Sequence, residues 1–150
     1  MYTILRCNGR HEAIDQVPTF EAMEQAISCT AFDAVPIGKA NRPPDDEILL
    51  VDDTGLLDGK PINPEATLLY WRVAPSQRHC IHGDAILTRD RYFGGPNTLT
   101  PEEATLRQVL GQEEGGYLPN ALAIAAKNMG LSVEELNQML GDIVARRAGV

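Results

Sequence analysis

Long apolar runs are missing from this chain. Nowhere do the roughly 20 consecutive apolar residues of a membrane-spanning helix occur, and the opening "MYTILRCNGRHE" lacks a charged segment followed by an apolar stretch. The sequence therefore predicts a soluble, cytoplasmic protein with no membrane partner. Basic residues are scarce, 13 Lys and Arg against 21 Asp and Glu, for a net charge of −8. That excludes a general nucleic-acid binder, because neutralising a phosphate backbone needs clustered cations. Cysteine is sparse too: Cys7, Cys29 and Cys80 are odd in number and far apart, which predicts reduced thiols rather than a disulfide framework. Walker loop, dinucleotide-binding glycine pattern, serine-hydrolase elbow and zincin spacing are all absent. The sequence thus offers no catalytic set and implies no cofactor.

What is present suffices for a core without metal or disulfide staples, since the chain has 150 residues. "YTILR" predicts a first strand and "CNGRH" a turn. "TFEAMEQAIS" predicts a helix capped by Thr19, with Phe20, Met23 and Ile27 on its apolar face. "AFDAVPI" and "ILLVDD" follow as strands, the latter apolar enough to be buried on both faces. "NPEATLLYW" predicts a second helix with Asn63 as cap and Pro64 at its first position, and "IHGDAILT" a further strand. The fold class expected is α+β: a small mixed sheet in β-α-β-β-α-β order, ferredoxin-like or related. Residues 1–99 would form this domain and residues 100–150 a helical C-terminal extension.

Charge is segregated along the chain. Asp45, Asp46, Glu47, Asp52, Asp53 and Asp58 fall between Pro43 and Asp58 with no base among them, whereas Ala66 to Gly83 contains no acid. Arg72, Arg78, Arg89 and Arg91 bracket "RHCIHGD", which packs His79, Cys80, His82 and Asp84 into seven residues. On a strand, Cys80, His82 and Asp84 would share one face and His79 and Ile81 the other. A zinc ion would then have to recruit Cys7, His11 or Cys29, with none of the short paired spacings that make zinc motifs specific. A Cys80 nucleophile would need an imidazole within reach, and side chains two apart on a strand run parallel. The candidate site is accordingly an anion pocket built from Arg78, His82, Asp84, Arg89 and Arg91, since guanidinium forks suit phosphate and carboxylate. The alternative is that acidic and basic segments are neighbours in the sheet and pair with each other.

From Thr100 the texture becomes helical. "TPEEATLRQVL" opens with a capping box from Thr100 to Glu103. "YLPNALAIAAKNMG" and "SVEELNQMLGDIVARRAG" predict a helical hairpin whose second helix starts at Ser132 and carries Leu136, Met139, Leu140, Ile143 and Val144. "AAKNMGLSVEELNQML" resembles a helix-turn-helix packing unit, yet Glu134, Glu135 and Asp142 are poorly suited to a phosphate backbone. The apolar stripe either covers the sheet domain or mediates homo-oligomerisation.

Several segments, "TFEAMEQAIS", "FDAV", "ILLVDDTGLLDGKPIN", "IHGDAIL" and "LTPEE", resemble a family of short phage, plasmid and bacterial proteins known as a domain of unknown function, number 3846. The resemblance covers roughly the first two-thirds of the chain and carries over no catalytic residue. Ser28-Cys29 after the first helix, the "YWRVAPSQRHC" insertion and the helical tail depart from its pattern. It implies a mobile-element accessory protein. The expected function is a non-catalytic binder engaged in counter-defence, sequestering an anionic small molecule or inhibiting a host protein. Two other classes compete: an acidic DNA mimic that inhibits a nucleic-acid enzyme, and a Cys- or zinc-dependent hydrolase.

Overall fold

The structure is a computed structural model that describes residues 2–16, 18–38, 46–90 and 121–149. In chain order its elements are β1 (Tyr2–Leu5), β2 (His11–Ile14), α1 (Phe20–Ile27), β3 (Phe32–Pro36), β4 (Glu47–Asp52), α2 (Pro64–Val73), β5 (Ala85–Arg89), α3 (Ala121–Met129) and α4 (Val133–Ala148). The five strands form one sheet in the order β2-β1-β5-β4-β3. The α+β class is as expected, with the C-terminal helices following the sheet. Two particulars differ. Every pairing is antiparallel, so the sheet is not mixed, and a strand precedes α1 where only a turn was expected. That strand, β2, folds back on β1 through a turn containing Asn8-Gly9, with Gly9 at φ +88°, a backbone state that glycine adopts without cost.

Both faces of the sheet are covered, which explains why residues 48–51 of β4 and 85–87 of β5 are apolar without interruption. Ile48, Leu50 and Ile86 pack with Tyr2, Ile4, Met23 and Ile27 on the α1 side. Leu49, Val51, Ala85 and Leu87 pack with Leu5, Ala66, Leu69 and Ile81 on the α2 side. Alternation along each strand sends its odd and even residues to opposite cores. Leu49 and Ile86 are fully buried, and truncating either to alanine costs about 2–5 kcal/mol. Phe20, expected on the apolar face of α1, instead lies largely exposed with its ring tilted toward Phe32.

The predicted helix caps are in place. The Thr19 hydroxyl accepts from Ala22 N, the Asn63 side chain from Ala66 N and the Ser132 hydroxyl from Glu135 N. Leu122, Ala126 and Leu136 close the α3–α4 hairpin. The hairpin packs on α2 and on the β1–β2 turn rather than directly on the sheet. Arg147 stacks its guanidinium 4.5 Å from the centre of the Trp71 ring and donates to Pro75 O at 2.8 Å. Asn137 Nδ2 donates to Cys7 O at 2.8 Å, and a Cβ on Gly9 would stand 3.0 Å from both Asn137 and Leu122. Among the described residues no helix is long and apolar enough to cross a membrane. The capping box at Thr100 lies outside the described residues.

Candidate functional site

The "RHCIHGD" stretch is not a strand up to Asp84. Regular pairing starts at Ala85, and before it the chain makes only an isolated bridge between Ile62 and His82, with Gly83 at φ +95°. The expected separation of its side chains onto two faces is therefore overturned. The stretch divides by position instead: Gly83 and Asp84 join a polar knot, while His79 to His82 line a cavity.

The knot ties three distant segments together. Asp84 accepts from Arg6 Nη1 at 2.9 Å through one carboxylate oxygen and from Cys7 N at 2.8 Å through the other. Arg6 also grips Glu12 with Nε and Nη2 at 3.0 and 2.9 Å and donates to Ala26 O. The bonds and charges of Glu12 and Asp84 outweigh the desolvation of the guanidinium and raise the Arg6 pKa further, and the Glu12 carboxyl is in turn held below its usual range. Asn63, fully buried, donates to Leu5 O and Gly83 O while capping α2. Lys60 donates to Ile27 O and Ser28 O and pairs with Asp52. Burial pushes the Asp52 carboxyl up, but Lys60 and the Thr54 backbone and hydroxyl donors more than offset this and hold it below the usual value. A Cβ on Gly55 would stand 2.2 Å from the His82 carbonyl oxygen, so only glycine lets the turn after β4 approach so closely. The "DDTG", "GKPIN" and "HGDA" segments thus act as fold markers.

The cavity lies where the α2-side core meets the sheet edge and holds about 300 Å³, the size of a small metabolite site. Asp33 and Val35 come from one face of the edge strand β3, and Asp33 is opposite Val51 in the β3–β4 register. Asp52, Asp53 and Leu56 come from the end of β4 and its turn, Tyr70 from α2, and His79, Cys80, Ile81 and His82 from the segment before β5. Trp71 fixes that segment by donating its indole N–H to His79 O at 3.0 Å. His82 Nδ1 bonds Lys60 O at 2.9 Å. Because a carbonyl only accepts, Nδ1 carries the proton, and in the neutral ring Nε2 is left as an acceptor. Asp33, Asp53 and His79 make no side-chain hydrogen bond or ion pair with the described residues.

Of the five residues expected to form an anion pocket, the structure places His82 in this cavity. Asp84 belongs to the knot. Arg78 is exposed and donates to Gln77 O at 3.2 Å. Arg89 is buried, with Nε donating to Asp46 Oδ1 at 3.1 Å and Glu47 opposite it in the sheet; here acidic and basic segments do pair as sheet neighbours. Arg91 lies outside the described residues. Asp33, Asp53, Tyr70 and His79 were missed as a group, and only the period-2 placement of Asp33 and Val35 in "FDAV" hinted at a shared face.

Thiol chemistry is poorly supported. Burial, with Asp84 close by, pushes the Cys7 thiol up to about 12, and burial also raises Cys29 and Cys80. A thiol so held is protonated and weakly nucleophilic. Among the described residues no three His, Cys, Asp or Glu side chains stand close enough together to hold a metal ion. Several acids are taken up by basic partners, Glu12 and Asp84 by Arg6, Glu65 by His11, Asp46 by Arg89 and Asp52 by Lys60. That arrangement does not favour the continuous acidic stripe of a DNA mimic.

The family described as Domain of unknown function (DUF3846) matches residues 1–112. The match spans the knot and the cavity and leaves α3 and α4 outside it. No curated protein and no solved structure matches the chain.

Proposed function

The chain belongs to the family described as Domain of unknown function (DUF3846), and from the geometry of its cavity we propose that it is a non-catalytic small-ligand-binding domain. One observation carries this reading. Beside a knot whose polar groups bond to one another stands a cavity of about 300 Å³ in which the side chains of Asp33, Asp53 and His79 make no hydrogen bond or ion pair with the described residues. Polar groups presented on rigid elements and left unsatisfied are what a binding site offers its ligand. The protonated thiols favour binding over thiolate catalysis. In the mobile-element setting that the family resemblance implies, such a domain acts by sequestration. An anion would meet the exposed carboxylates of Asp33 and Asp53, with no lysine or arginine among the described residues of the wall and Asp52 already paired with Lys60, so charge favours a neutral or cationic ligand over the anionic one.

The test is a small-fragment screen on the ¹⁵N-labelled full chain, repeated on a Leu56→Trp variant in which an indole fills the mouth of the cavity. Bound fragments are expected to shift the amides of residues 33–35, 51–56 and 79–82, and the variant to lose those shifts. Fragments that map elsewhere, or that bind the variant equally well, would overturn the proposal.

A further inference from the structure

The cavity's donors and acceptors are unbalanced, and the imbalance has a chemical meaning. Two of its outer polar groups only accept, since Asp33 from the sheet edge and Asp53 from the turn are exposed carboxylates with no cation beside them among the described residues, whereas Tyr70 and His79 can both donate and accept. Asp52, the third carboxylate, is already paired with Lys60 and bonded by Thr54. His82 uses its Nδ1 proton on Lys60 O, which in the neutral ring leaves Nε2 as an acceptor too. The inner wall is apolar, made of Val35, Val51 and Ile81, and Leu56 extends it outward with 68% of its surface exposed. A metal ion fits badly, since no set of three ligating groups converges among the described residues.

Resting on the binding reading above, we propose that this cavity takes an organic ammonium ligand, a small apolar body carrying a protonated amine. The amine donates to Asp33 and Asp53 at the rim, and the apolar body lies against Val35, Val51 and Leu56. Two independent features coincide here: two carboxylates with no cation beside them among the described residues, and a hydrocarbon wall of a size suited to one ring or a short chain. Neither alone would choose the ligand, because acids by themselves bind water and an apolar wall by itself accepts any hydrocarbon. Together they select a donor with positive charge over an isosteric alcohol or carboxylate.

The experiment titrates the ¹⁵N-labelled full chain with three probes that share one ring: benzylammonium, benzyl alcohol and benzoate. Benzylammonium is expected to shift the amides of residues 33–35, 51–56 and 79–82 and to bind roughly tenfold more tightly than benzyl alcohol, with benzoate weakest. The Asp33→Asn, Asp53→Asn double variant is expected to erase that tenfold preference of ammonium over alcohol. Equal binding of alcohol and ammonium at these residues overturns the ammonium inference while the binding reading survives. Tighter binding of benzoate overturns it in favour of an anion. Absence of any shift from the three probes also overturns it, and the fragment screen then judges the binding reading separately.

Discussion

The knot around Asp84 and the cavity around His79 and His82 share one stretch of chain and use their polar groups in opposite ways. In the knot, the side chains of Arg6, Lys60, Asn63 and Asp84 make eleven hydrogen bonds with the described residues. In the cavity, the side chains of Asp33 and Asp53 make none with the described residues. Buried polar groups are tolerated only when they are satisfied, so the first arrangement is what fold specification requires. The second is tolerated only because water reaches the carboxylates. A cluster of chemistry-bearing residue types in sequence therefore says little until its bonds are known.

Substitutions can sharpen this contrast, and the largest effect is expected in the knot. Asn63→Ala removes the cap of α2 and leaves Leu5 O and Gly83 O without their donor, for an expected loss of about 4 kcal/mol in urea unfolding. A loss below about 1 kcal/mol would mean that the knot is ornamental.

Asp52→Asn comes next, leaving the Lys60 ammonium without its carboxylate and costing about 3 kcal/mol at neutral pH. This cost should depend on pH with a definite sign. Because the folded Asp52 pKa is lowered, the native state binds fewer protons than the unfolded chain. Its contribution is complete above the unfolded value near ~3.9 and vanishes as pH falls through the lower folded value. Unfolding curves of wild type and variant should thus converge in acid, and a gap constant down to pH ~2 would refute the assignment.

Arg147→Ala tests whether the tail is held on α2 by its contact with Trp71. The expected loss is about 1 kcal/mol, with an altered Trp71 fluorescence spectrum. At the far end of the scale, Asp33→Asn with Asp53→Asn should change stability by less than about 0.5 kcal/mol while altering ligand preference. A large destabilisation there would show the cavity acids to be structural, and the contrast with the knot would collapse.

Much of the fold is legible in the sequence because the signals involved are local. Thr19, Asn63 and Ser132 each stand one residue before their helix and cap it through a side chain reaching two or three residues ahead. The uninterrupted apolar run of β4 announced burial on both faces, and all six of its residues are buried. β2 was harder to see, since "HEAI" lies at a sheet edge with no fully buried residue and its only strong signal is the preceding Asn8-Gly9 turn. The site was hardest. His82 was named for its neighbours in sequence, but what matters is that Lys60, 22 residues away, takes its Nδ1 proton.

By itself, then, the sequence determined the α+β class, the capped helix starts after Thr19, Asn63 and Ser132, the burial of β4 on both faces and the family, because periodicity and capping act over a few residues. Only the tertiary structure decided that Asp84 answers Arg6 across 78 residues of chain and that Arg89 is taken by Asp46. It also decided that Asp33, Asp53 and His79 meet at one cavity. Those outcomes depend on the β3–β4 register and on how α2 packs against the sheet, and strand register and helix docking are set by long-range burial that no local run of residues encodes.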